Sequence, residues 1–296
     1  MRLTRTLTVL AAATLATLSF SAQAACMSDA EVALLLASYM AKTPAVNPDG
    51  LTEADGDCSR NKLTTLMEKQ GSKLVGYKAG LTNPAVQKRF NATQPVWGKL
   101  YENMLLSDGA SVDAAFGARA LFEADMLVRV SSEAINSAKT PMDVLNAIDQ
   151  IIPFIELPDL VVQAPPRLNG AAISAINVGA RLGVLGQSIT APATRAEKYQ
   201  MLDALRDMQV SMSDSAGVAL GGGKGSDILE HPLNAVVWLA QALAKDGQAM
   251  KVGQLISLGS FSPLVPTKAG MKVTVTYSGL PGAKPVSVSF KKACLC

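Results

Sequence analysis

Histidine is almost missing from this sequence, with His231 alone among 296 residues. That count excludes a zinc site of two or three imidazoles, a Cys/His zinc finger and a two-histidine iron centre. A nucleophile–histidine triad could form only around His231. A strong basic field is also missing, since 27 Lys+Arg stand against 24 Asp+Glu. Nucleic-acid binding by phosphate neutralisation therefore has no support. There is no G-x-G-x-x-G, and Gly221-Gly222-Gly223-Lys224-Gly225-Ser226 lacks the four-residue gap of a phosphate loop, so it reads as a mobile loop or lid. No internal repeat and no linker divides the chain. What is abundant is apolar residue, 49% of the total, ample for a packed core.

The N-terminus has the form of a cleaved leader. Arg2 and Arg5 precede an uncharged apolar run from Leu7 to Phe20, and Ala22-Gln23-Ala24 supplies small residues for a signal peptidase. That run is shorter than the roughly 20 residues a spanning helix needs. We expect residues 1–24 to be removed after about Ala24, the mature chain to be periplasmic, and no membrane contact to remain. Gln23, three residues before Cys26, is unlike the aliphatic residue of a lipoprotein signal. The four cysteines, Cys26, Cys58, Cys294 and Cys296, would then meet an oxidising compartment and form disulfides. Cys294 and Cys296 point to opposite faces of an extended tail, so links from the tail back to Cys26 and Cys58 are the favoured pairing.

Along the chain, Ser28-Asp29-Ala30-Glu31 is a capping box that starts a helix reaching about Lys42. Thr43 to Asp57 reads as a loop and Asn61 to Gln70 as a second helix. KLVGYKAGL, ARALFEADMLVRV and IIPFIELPDLVV then follow as strands, with a helix opened by Thr140-Pro141 and running through Asp149 between the last two. Met208–Ser213 and Val218–Leu220 read as a hairpin. His231-Pro232 opens an amphipathic helix that ends at Gly247, and MKVTVTYSG and PVSVSF are late strands. Helices ahead of a strand-rich body indicate an α+β domain.

Three carboxylates stand out. Glu123 and Asp125, two apart in a strand, project on the same face, and Glu156 lies among apolar neighbours that would bury it. Together they would make an oxygen-only site suited to Mg²⁺ or Mn²⁺. The competing reading places Glu123 and Asp125 on a solvated face and Glu156 at a strand end. Lys78, just before Ala79-Gly80, sits where a lysine can bind an acid or carry a proton, though most such lysines are solvated.

Several segments together resemble one family. VGYKAGLTNPAVQKRF, QPVWGKLYENM, FEADMLVRV, IPFIELPD and the long run from GKGSDILEHPLN to KVTVTYSGL are similar to the 2-keto-4-pentenoate hydratase and 4-oxalocrotonate decarboxylase group of the fumarylacetoacetate hydrolase superfamily. The similarity runs from about Lys73 to Phe290. It implies a mixed β-roll or β-sandwich of the superfamily's C-terminal-domain type within a single domain over residues 25–296, with a helical N-terminal portion over 25–72.

It also implies a homo-oligomer, a divalent metal (Mg²⁺ or Mn²⁺) on Glu123, Asp125 and Glu156, and substrate contacts at Lys78, Leu81 and Ser260, with Lys78 catalytic. The activity implied is a hydratase-like lyase acting on a small 2-oxo or 2-hydroxy-2,4-dienoic acid. Alternatives are a non-catalytic 2-oxo acid binding protein and an acylpyruvate hydrolase using His231 as base. The chain departs from the family pattern at Thr93, Val96, Leu121 or Phe122, Ile176 and Leu258, which replace polar or acid/base groups and spare the metal ligands.

Overall fold

The computed structural model describes residues 26–292, so the leader at 1–24 and Cys294 and Cys296 lie outside it. Helix α1 (Asp29–Ala41) begins at the expected capping box. Helix α2 (Glu53–Lys69) starts well before Asn61, inside the stretch whose Asp and Gly content reads as loop. The reason is a second capping box, in which the Thr52 side chain accepts from the Asp55 amide and Asp55 accepts from Thr52 N. Within that helix residue 56 is a glycine because the backbone of Ala171 packs against it, where an added Cβ would lie 2.3 Å from the Ala171 carbonyl oxygen.

The earlier start also changes the disulfide. Cys26 pairs with Cys58 on α2 (Cα–Cα 5.7 Å), and the same turn is held by Met27 N donating to Ser59 Oγ at 2.9 Å. The expected links from Cys26 and Cys58 to the tail are thus replaced by a local staple.

The chain continues through β1 (Leu74–Gly80), α3 (Pro84–Arg89), β2 (Val96–Tyr101), β3 (Leu105–Ser107), β4 (Ser111–Asp113) and β5 (Leu121–Val130). Helix α4 (Pro141–Asn146) stops before β6 (Ile148–Leu157), so Asp149 lies in the strand, where it meets Arg129 across the sheet. Then follow α5 (Gly170–Ala175), β7 (Leu182–Leu185), β8 (Ile189–Thr190), α6 (Arg195–Asp207), β9 (Gln209–Asp214), β10 (Ala219–Lys224) and α7 (Asn234–Lys245). β11 (Leu255–Ser257), β12 (Val265–Pro266), β13 (Lys272–Ser278) and β14 (Val286–Lys291) complete it.

The glycine run expected to be a lid is instead the end of β10 and a tight turn. Cβ atoms at Gly222, Gly223 and Gly225 would meet the carbonyls of Val210, Phe261 and Leu205 at 2.3, 2.2 and 1.8 Å, so these glycines serve close packing.

Two sheets organise the molecule. The larger runs β2-β1-β11-β5-β6-β7-β3, with β12 on β5 and β8 on β6; the smaller runs β10-β9-β13-β14-β4. The fold is therefore α+β with mixed sheets, as expected. Alternation along β5 and β6 sorts their side chains. Phe122, Ala124, Met126, Val128, Ile151 and Ile155 face the smaller sheet and α7, while Leu127, Ile152 and Phe154 face α1, α2 and α5.

Tyr277 of β13 reaches across the interface with its hydroxyl between the two central strands. It donates to the Asp125 carbonyl and accepts from Phe154 N at 3.1 Å. Burial drives its pKa upward, so it stays a neutral donor. No helix among the described residues is long and apolar enough to cross a membrane.

The staple closes a loop of 32 residues in sequence separation. Cys58→Ser should lower unfolding free energy by about 2–4 kcal/mol in chemical denaturation, through the larger entropy of the unfolded chain. An equal denaturation midpoint with and without reductant would refute this.

Candidate active site

The antiparallel register of β5 and β6 sets Glu123 directly opposite Glu156 and Asp125 opposite Phe154. Since the period is two, Glu123, Asp125 and Glu156 share the face that the helices cover. Lys78 joins them from β1, where it is registered against Ser257 of β11. Its ammonium forms an ion pair with Glu156, and both are almost fully buried. A second donor reaches the Val178 carbonyl at 3.0 Å, which leaves one of three unassigned. Val178 is held at φ 53, an unusual conformation for a β-branched residue. The turn is pinned by Asn177, which bonds both the amide (2.8 Å) and the carbonyl (3.0 Å) of Lys99 on β2.

These groups form the floor of a cavity of about 280 Å³ lined by Lys78, Glu123 and Glu156. Its walls are mainly apolar, among them Leu81, Phe90, Leu160, Ile173 and Phe261. Leu81 takes φ 54, turning the chain from β1 toward α3, and its carbonyl accepts from Gln87 Nε2 at 2.8 Å. Ser260 lines the cavity, but its hydroxyl already donates to the Ser262 carbonyl at 2.7 Å. Two buried side chains that sequence reasoning passed over also shape the site. Ser257 Oγ donates to Asp125 Oδ2 at 2.6 Å, and Thr82 lines the cavity wall. Ser257 carries no signature in sequence, because it owes its place to a neighbouring strand, whereas Thr82 closes the GYKAGLT segment and only its burial in the folded chain marks it out.

The expected three-carboxylate cluster assembles only in part. Asp125 is withdrawn beneath the cavity, where Oδ1 accepts from the amides of Met126 (2.5 Å) and Gly259 (3.1 Å) while Ser257 holds Oδ2. Among the described residues no three Asp, Glu, His or Cys side chains converge as a metal site does. The physical reason is the shorter Asp side chain, tied down by three donors, together with the pairing of Glu156 to Lys78.

The donor set nevertheless suits a hard divalent cation, being oxygen-only and carrying more negative than positive charge. Burial, then the charge of Glu156, raises the Glu123 pKa well above the carboxylate range. The same two causes push Asp125 up to about 7.

His231 does not belong to this site. Its Nδ1 accepts from the Leu233 amide at 3.1 Å and its Nε2 lies 3.0 Å from the Leu202 carbonyl. With both ring nitrogens engaged by backbone ahead of α7, and burial lowering its pKa, it holds the turn that leads into that helix. The hydrolase reading that relied on it as base loses its footing.

No family model matches the chain. It is 32% identical over 226 residues to 2-hydroxyhexa-2,4-dienoate hydratase of Comamonas testosteroni, covering 74% of this chain and 80% of that protein. It is 27% identical over 263 residues to 2-keto-4-pentenoate hydratase 1 of Dechloromonas aromatica (strain RCB), covering 87% and 96%. Among solved structures, 4-oxalocrotonate decarboxylase from Pseudomonas putida G7, complexed with magnesium and adipate, superposes with a TM-score of 0.77 at 25% identity, covering 88% of this chain and 96% of that one.

Two predictions arise from the geometry. Asp125 binds protons more tightly folded than unfolded, so in ion-free protein stability should fall as pH rises from about 4 through 7. Asp125→Asn should flatten that part of the profile, and an unchanged slope in urea titrations would contradict it. Gly259, at φ 94, would carry a Cβ 2.2 Å from Thr82 Oγ1. Gly259→Ala should therefore lower the melting temperature by several degrees, read by scanning calorimetry, and a melt equal to the parent protein's would disprove the constraint.

Proposed function

The chain belongs to the 2-keto-4-pentenoate hydratase and 4-oxalocrotonate decarboxylase group of the fumarylacetoacetate hydrolase superfamily, and on that premise we propose that it is an exported, metal-dependent hydratase of small 2-oxo or 2-hydroxy-2,4-dienoic acids. The observation that carries this reading is the buried pairing of Lys78 with Glu156, opposite Glu123, on the floor of the cavity.

Glu123, Glu156 and Asp125 would hold the Mg²⁺ or Mn²⁺ ion, with Asp125 freed from its backbone donors. The ion supplies Lewis acidity toward the carboxylate and keto oxygens of a 2-oxo acid. Lys78 offers its remaining donor to the substrate carboxylate, or exchanges a proton with Glu156 beside it. Burial and the neighbouring Glu156 make the Glu123 carboxylate costly to keep ionised without a cation, which suits it to receive one. The apolar wall receives the hydrocarbon part of the substrate and keeps bulk water from the charged floor. Leu81 contributes backbone curvature to that wall, and Ser260 an oxygen already oriented by Ser262.

A second reading, a 2-oxo acid binding protein without turnover, is favoured by Ile176, which is buried among apolar residues where the family pattern is acidic.

Export is supported by the leader composition and by the Cys26–Cys58 bridge, a pairing suited to an oxidising compartment. Assembly into a homo-oligomer is proposed from the family resemblance alone.

Wild-type protein with Mg²⁺ should consume 2-hydroxypentadienoate, followed by loss of dienol absorbance, and Glu156→Ala should lower kcat at least about 100-fold. A wild-type protein inert on a panel of such acids, yet binding oxalate with Mg²⁺ in calorimetry, would establish the second reading in its place.

A further inference from the structure

Thr82 has an orphaned hydroxyl. The residue is 2% exposed, and among the described residues its Oγ1 is one of two buried side-chain polar atoms with no hydrogen-bond partner. The other, Asp55 Oδ1, belongs to the capping box of α2, where its companion oxygen carries the bonds. Thr82 is different, because it lines the cavity that holds Lys78, Glu123 and Glu156. A buried hydroxyl without a partner destabilises a fold and is retained where something outside the chain completes it.

The surroundings hold this hydroxyl in place. Leu81 immediately before it is in the left-handed region, and the Thr82 carbonyl accepts from the Leu229 amide at 3.3 Å. On its other side Thr82 packs against Gly259, where a Cβ would come within 2.2 Å of Oγ1. The Gly259 amide in turn donates to Asp125 Oδ1 at 3.1 Å, which ties the wall at Thr82 to the carboxylate beneath the cavity.

We propose that Thr82 is a substrate-binding residue whose hydroxyl donates a hydrogen bond to a carboxylate oxygen of the 2-oxo acid. The inference rests on the site reading given above and adds a recognition group to it. Lys78 supplies charge to the ligand, while Thr82 supplies direction: a neutral donor on a strained, rigid turn selects an oxygen in one place.

The test is calorimetric titration of oxalate in the presence of Mg²⁺, with the melting temperature of each ligand-free protein measured alongside. Thr82→Val keeps the shape and removes the hydroxyl; Thr82→Ser keeps the hydroxyl. Thr82→Val should weaken oxalate binding about 10- to 100-fold, Thr82→Ser should stay within about threefold of the parent, and ligand-free Thr82→Val should melt at the parent temperature or slightly above it. The last readout is one that a structural role would reverse, since a hydroxyl bonded inside the protein costs stability when lost.

Parent-like binding by Thr82→Val, equal losses in both variants, or a lower melt for ligand-free Thr82→Val would each overturn the assignment of Thr82 alone. A parent protein that binds no oxalate with Mg²⁺ would overturn the site reading, and the Thr82 inference with it.

Discussion

The arrangement of this protein depends on placing three carboxylates on one covered face of a sheet with a single lysine among them. Burial and the charge of Glu156 raise the cost of ionising Glu123 and Asp125, and Lys78 is the one cation that offsets it among the described residues of the site, beside the hydrogen bonds that Asp125 accepts from Ser257 and Met126. A buried ion pair of this kind is poor evidence for stability, because desolvating both partners consumes most of their attraction. Its persistence in the interior is better explained by what the uncompensated charge can do, which is to receive a cation and an acidic ligand.

The rest of the fold keeps those groups in place. β5 and β6 carry two carboxylates opposite each other, and Tyr277 from the other sheet joins the backbones of both strands beneath the site. β11 brings Ser257 beside Asp125, and the turn at Asn177-Val178 directs a carbonyl to Lys78. Each of these comes from a different part of the chain. The strained backbone at Leu81 and Val178 is confined to the cavity wall, where a functional site can hold residues in conformations that would elsewhere be selected against.

Two local fastenings complete the arrangement. The Cys26–Cys58 bridge fastens the N-terminal segment to α2, and three donors hold the Asp125 carboxylate beneath the cavity.

Local patterns were legible wherever a neighbour along the chain decides the outcome. The Ser28–Glu31 capping box, the alternation of FEADMLVRV and IIPFIEL and the late strands could all be read from spacing, and alternation alone put Glu123 and Asp125 on one face. Asp and Gly within residues 53–57 concealed a helix start, because the capping acid Asp55 looks like loop composition until Thr52 is seen to pair with it. The glycines of β10 looked mobile because the carbonyls they pack against come from Val210, Phe261 and Leu205.

The membership of the site could be inferred from residue order, but its state could not. That Lys78 pairs with Glu156, that Asp125 turns away to Ser257 and Gly259, that His231 is engaged by the Leu202 carbonyl and that Thr82 lacks a partner are all consequences of how residues far apart in sequence come together, which is decided only once the chain is folded.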